Sequence, residues 1–173
     1  MPGLAATQDD LYQQATADFA GALERLARSY EADPEARRDL LQDIHVALWR
    51  SFLNFNGLCS MRTWIYRVAH NTAVTHVLRE RRRRGQVMVG LEEIEEMPAA
   101  VSGNPDRQQH LDQLLAMVRT LKPIDRQVIL AYLEDMDAAE IGEITGLSPA
   151  NVATKIHRIK NILSRRFQAG ERP

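Results

Sequence analysis

The period of its apolar residues most constrains what this chain can fold into. Leu23, Leu26, Ala27 and Tyr30 recur at helical spacing, as do Leu40, Leu41, Ile44, Leu48 and Phe52. No segment sustains the alternation that a half-buried strand needs, so the fold is expected to be all-α. Proline and glycine set the bounds. A first helix is predicted over residues 9–31, ending before Asp33-Pro34, where Asp33 can cap and Pro34 can occupy the first position of a second helix over 34–52. FNGLCS, residues 55–60, breaks the pattern. A third helix over 61–83 carries Trp64, Ile65, Val68, Ala69, Ala73, Val74 and Val77 on its apolar side.

From Gly85 to Asp106 the period weakens into the acidic run LEEIEE and then MPAAVSGNP. This composition reads as a flexible acidic linker. Four further helices are predicted over 106–120, 123–134, 138–145 and 149–167. The expected organisation is therefore a three-helix domain over 9–84, a linker over 85–105 and a four-helix domain over 106–168.

The 173 residues carry 22 basic and 23 acidic side chains, a net charge of −1 that taken whole argues against a nucleic-acid binder. Its distribution argues the opposite. Residues 62–84 hold seven arginines against Glu80, and residues 149–173 hold six basic side chains against Glu171, whereas residues 85–148 hold four basic and twelve acidic ones. One cysteine, Cys59, excludes an internal disulfide and leaves a cysteine-based zinc site short of ligands. The amino terminus has no secretory pattern, and no apolar run approaches the ~20 residues of a membrane span, so a cytoplasmic location without membrane insertion is expected.

Near the carboxy terminus, Asp137-Ala-Ala-Glu140 has the spacing of a capping box. It opens the short helix AAEIGEIT, Gly146-Leu147 makes a turn, and Ser148-Pro149 starts NVATKIHRIKNILSRRF. That is the outline of a helix-turn-helix, whose second helix enters the major groove. Ile141, Ile144, Leu147, Val152, Ile156, Ile159 and Leu163 can pack inward, leaving Thr154, Lys155, His157, Arg158 and Lys160 for phosphates and base edges. An αα-hairpin with a solvated basic face has the same pattern.

RTWIYRVAHNTAVTHVLRERRRR, residues 62–84, interleaves arginines with Trp64, Tyr66, His70, Asn71 and His76. Arginine attracts phosphates, aromatic rings stack on unpaired bases, and the Asn71 amide can hydrogen-bond a base edge, a combination suited to opened DNA. Trp64 has a second reading as an interhelical packing residue, and Arg81 to Arg84 one as a solvated helix end. On the preceding helix Asp39 and Asp43 stand one turn apart beside Gln42, with Leu40, Ile44, Leu48 and Trp49 assigned to the inner side. Without a third ligand or a nucleophile, the acidic pair reads as a docking surface for a basic partner. No convergent nucleophile, base and oxyanion set is visible, so an enzyme is not expected.

Together the two halves resemble a bacterial RNA polymerase sigma factor of the extracytoplasmic-function group of the sigma-70 family. DPEARRDLLQDIHVALWRSF resembles that family's region 2 helix with its D-x-x-Q-E/D element. FNGLCSMRTWIYRVAHNTAVTHVLRERRRR is similar to its promoter-melting segment, with a W-x-Y-R-[IV]-A-x-N-T core, and LKPIDRQVILAYLEDMDAAEIGEITGLSPANVATKIHRIKNIL resembles region 4. The resemblance implies a non-enzymatic factor without cofactors that docks on core RNA polymerase, region 2 on the β′ clamp and region 4 on the β flap. It also implies promoter DNA as a partner and an anti-sigma factor as regulator. Asp39, Gln42 and Asp43 would face the clamp. Asn71 would hold a flipped base of the −10 element, with Asn56, Arg62, Trp64, Arg67, Thr75 and Arg79 around it. Ser148, Thr154, Lys155, His157 and Arg158 would serve the −35 element. Asn56-Gly57-Leu58-Cys59 departs from the family's usual R-G-D-S, which implies a different −10 base preference. Two other functions fit the pattern: a stand-alone helix-turn-helix regulator of duplex DNA, and a helical adaptor that binds only proteins.

Overall fold

The computed structural model describes residues 6–85 and 107–171. The predicted linker and its acidic run lie outside the described residues, except Gly85. All regular structure among the described residues is helical, in two compact units that divide between Arg83 and Arg84.

The first unit contains α1 (Gln8–Tyr30), α2 (Pro34–Ser51), a 3-10 turn (Phe52–Asn54) and α3 (Met61–Arg84). Thr7 and Asp10 form a capping box at the start of α1, the Thr7 amide donating to Asp10 Oδ2 at 2.9 Å. The Thr7 hydroxyl and then its amide hold the Asp10 carboxyl below its usual value. Asp33 caps α2 by accepting from the amides of Glu35 and Ala36, with Pro34 in the first turn as expected.

Leu23, Leu26 and Tyr30 of α1 meet Leu40, Ile44 and Leu48 of α2 and Ile65, Ala69 and Ala73 of α3 in one core. Each large side chain there contributes roughly 1.5–3 kcal/mol by leaving water. Inside it Tyr30 Oη and His70 Nδ1 are 2.8 Å apart.

Trp49 departs from the expected inward placement and is 41% exposed. It follows Leu48 by one residue, and a helix turns by about 100° per residue, which carries it off the buried Leu40–Ile44–Leu48 line. Its indole N–H donates to Asp9 Oδ1 at 2.8 Å, and Gln8 Nε2 donates to its carbonyl.

The second unit contains α4 (Arg107–Thr120), α5 (Pro123–Leu133), α6 (Ala138–Thr145) and α7 (Pro149–Glu171). The largest fully buried side chain is a charged one, Arg126. Its guanidinium donates to the carbonyls of Arg119 and Leu121, acceptors at the end of α4 that the helix itself leaves open. Asp137 and Glu140 make the expected capping box at α6. Gly146 then takes the left-handed conformation at φ +76°, and Ser148 Oγ accepts from the Asn151 amide at the start of α7. Gly142 has a steric role that no local pattern signals. A Cβ there would stand 2.7 Å from the Leu147 carbonyl oxygen, so its absence lets the turn fold back on α6. Ile141, Ile144, Val152, Ile159 and Leu163 are buried, while Leu147 and Ile156 are only half so.

Candidate nucleic-acid interface

α3 buries Ile65, Tyr66, Ala69, His70, Ala73, His76 and Val77 and turns its remaining face to solvent. At about 100° per residue, Trp64, Arg67, Asn71 and Thr75 fall within one strip, with Arg79 at its edge. Arg82, part of the arginine run that the sequence also allows as a solvated helix end, continues this strip at helical spacing. Asn71 is exposed, and its amide has no hydrogen-bond partner among the described residues. Thr75 donates to the Asn71 carbonyl at 2.9 Å, leaving its oxygen lone pairs outward.

Trp64 combines both of its sequence readings. Its indole N–H donates to Ser51 Oγ at 3.0 Å and its ring meets Phe55 edge-on at 5.3 Å, yet it remains half-exposed. Asn56 is exposed on the preceding loop, its Oδ1 accepting from the Leu58 amide. Arg62 lies about half a turn from the strip, its guanidinium carbon 6.0 Å above the Tyr66 ring. The structure withdraws Tyr66, His70 and His76 from base stacking, because all three face the core. His76 Nε2 instead lies 3.7 Å from the half-buried Glu31 carboxylate.

Asp39, Gln42 and Asp43 are all exposed on α2. Beyond them runs an apolar stripe unforeseen from the sequence: Val46 is 49% exposed, and Leu53 is 71% exposed on the 3-10 turn. With Gln42 and Trp49 these residues share one helical face, acidic at one end and apolar along its length. The signal is present in the sequence, since Gln42, Val46, Trp49 and Leu53 recur at helical spacing.

On α7, Thr154, His157 and Arg158 are exposed and neighbour one another on the helix surface. Asn151 and Asn161 belong to the same face; Asn161 Nδ2 and His157 Nε2 are 2.9 Å apart. Lys155 is different, its ammonium donating to the buried Asp125 carboxylate of α5 at 2.6 Å. Lys160 likewise turns to Tyr132, donating to its hydroxyl at 3.1 Å. Among the described residues no cluster of His, Cys, Asp and Glu is arranged to hold a metal ion, and no helix is long and apolar enough to cross a membrane.

A three-helix unit with a basic outer helix, joined in one chain to a four-helix unit ending in a helix-turn-helix, defines a two-headed DNA-binding protein. The family model described as Sigma-70 region 2 matches residues 16–83, and that described as Sigma-70, region 4 matches residues 111–163. The RNA polymerase sigma-H factor of Pseudomonas aeruginosa is 30% identical over 145 residues, covering 80% of this chain and 72% of that protein. The RNA polymerase sigma-E factor of Streptomyces avermitilis is 33% identical over 145 residues, covering 79% and 74%. Among solved structures, CnrH in complex with the cytosolic domain of CnrY matches with a TM-score of 0.68 at 22% identity, over 94% of this chain and 90% of that one. RpoE with the anti-sigma factor NepR from Bartonella quintana matches at 0.68 and 18% identity, over 96% of this chain and 100% of that one. The chain belongs to the sigma-70 family of RNA polymerase sigma factors, in its extracytoplasmic-function group. It directs promoter-specific transcription initiation.

Proposed function

We propose that the three faces divide the work of initiation. The α2 face of Asp39, Gln42 and Asp43, extended by Val46, Trp49 and Leu53, docks on the polymerase β′ clamp, its apolar stripe supplying burial and its carboxylates orientation. The α3 strip holds the unpaired −10 strand: Asn71 takes the edge of a flipped base, Trp64 stacks beside it, and Asn56, Arg62, Arg67, Thr75 and Arg79 hold flanking bases and phosphates. Thr154, His157 and Arg158 on α7 read the −35 element in the major groove while Ser148 and Lys155 orient that helix, and the second unit engages the β flap. The working division is 9–84 for docking and −10 recognition, 85–105 for connection and 106–168 for −35 recognition.

The exposed amide of Asn71, amid half-exposed Trp64 and Arg67, carries this reading. The protein works in the cytoplasm with polymerase, has no reaction of its own, and is held in reserve by an anti-sigma factor; RpoE, similar in fold, was solved with the anti-sigma factor NepR, and CnrH with the cytosolic domain of CnrY. Run-off transcription with core polymerase on candidate upstream regions tests the assignment. A transcript whose start depends on the added protein is expected. Tight binding of the protein alone to a duplex, with no affinity for core enzyme, would instead establish a stand-alone regulator.

A further inference from the structure

His76 belongs to none of the three faces. Its imidazole is 5% exposed on the inner side of α3, and its two ring nitrogens meet partners of opposite charge. Nδ1 lies 3.4 Å from Arg79 Nη2 on the same helix, and Nε2 lies 3.7 Å from Oε2 of Glu31, the residue that ends α1. Glu31 is fixed in turn, its Oε1 accepting from the amide of Asp33, the cap of α2, at 3.1 Å. A line of polar contacts therefore runs from the connection between α1 and α2, through His76, to Arg79 and on to Asp43.

Arginine donates hydrogen bonds and accepts none, so its contact settles which ring nitrogen carries the proton. Arg79 donates to the Nδ1 lone pair, and the ring proton is then on Nε2. That nitrogen has no hydrogen bond but faces the Glu31 carboxylate, an acid placed to favour this tautomer. The contacts with His76 and Asp43 both fall on Nη2, one for each of its hydrogens, and the Arg79 side chain has no other polar contact among the described residues. Its Nε and Nη1 donors remain open. The two anchors differ in kind: the Asp43 carboxylate stands at the surface, where another cation can take it, whereas His76 is held by the core.

We propose that His76 is a positioning residue for Arg79. It holds the guanidinium by Nη2 with Nε and Nη1 open, so that less side-chain freedom is lost when Arg79 meets the unpaired −10 strand. The inference rests on the reading of Arg79 as a contact to that strand.

Two substitutions separate positioning from packing. His76→Leu fills the space of the ring and removes the acceptor. His76→Asn keeps an acceptor, Oδ1, at the branch that Nδ1 occupies, but fills less space and buries an amide. Fluorescence anisotropy of the full chain, with a labelled single strand spanning the −10 element of a promoter it transcribes, is expected to show about threefold weaker binding for His76→Leu, the scale of ordering one long side chain. His76→Asn should bind nearly as the parent does, and His76→Leu should have no effect in an Arg79→Ala background. Thermal melts are expected to rank the two variants the other way, with leucine the more stable in a buried site. Long-range proton–nitrogen NMR of the histidine rings, with His76 assigned by its loss in His76→Asn, should find the proton on Nε2. Arg79→Ala without effect on binding would overturn the reading of Arg79 and this proposal with it. Where Arg79→Ala does weaken binding, a harmless His76→Leu, DNA affinities of the two variants that are equal or rank as their melts do, or a ring proton on Nδ1 would overturn the positioning role alone.

Discussion

Arg79 reaches from α3 to α2, its Nη2 standing 3.5 Å from Asp43 Oδ2 with both side chains more than half exposed. It thereby ties a residue proposed for DNA to one proposed for the polymerase clamp. In the free protein each partially neutralises the other, and docking at Asp43 would free Arg79. Asp43→Asn is predicted to weaken capture of core polymerase while raising the free protein's affinity for single-stranded −10 DNA by about two- to threefold. Folding stability should change by about 1 kcal/mol or less, as for an exposed pair. Fluorescence anisotropy over a salt series measures the DNA effect; unchanged affinity would mean that the pair does not restrain Arg79.

Asn71→Ala is predicted to abolish formation of open promoter complexes and leave core-polymerase binding intact. The side chain is exposed, and alanine is the better helix former, so the thermal midpoint should hold or rise slightly. Permanganate footprinting beside a polymerase pull-down separates the two effects. Equal loss in both assays would assign Asn71 a folding role.

Lys155 and Arg158 stand three residues apart on α7 but are predicted to fail differently. Lys155→Ala strands the Asp125 carboxylate, whose side chain is only 8% exposed, and should destabilise the second unit by about 2 kcal/mol. Arg158→Ala should leave stability alone and weaken −35 binding. Urea melts set against promoter binding by each variant check this contrast; a Lys155 variant with normal stability and altered promoter preference would return Lys155 to the reading face.

Gly142→Ala is predicted to cost about 2 kcal/mol although alanine favours helices, because its Cβ meets backbone, the Leu147 carbonyl, at 2.7 Å. Gly146→Ala should cost about 1 kcal/mol, from its left-handed φ of +76° alone. Thermal melts that rank the two the other way would contradict the tight α6–α7 turn.

What could be read from the sequence was local. Asp33-Pro34, the Asp137–Glu140 box and Gly146 each act within a few residues, and their spacing alone predicted the caps and the turn found there. Arg67, Asn71 and Thr75, which the family resemblance names, share one exposed strip because the helix fixes which residues lie on a face. The Thr7–Asp10 box is legible on the same ground, as a T-x-x-D pattern before a helix. Side chains whose fate depends on distant partners escaped it. Trp49 turned outward to Asp9 forty positions earlier, and Lys155 turned inward to Asp125 thirty positions earlier. Neither partner stands in the local pattern of its helix.

Arg126 gives the second unit a folding constraint of its own. Because the side chain that closes the end of α4 is anchored on α5, the last turn of α4 lacks its terminator whenever α5 is unformed. The two helices are therefore expected to open together, so that amide-exchange protection at the end of α4 should follow the integrity of its neighbour.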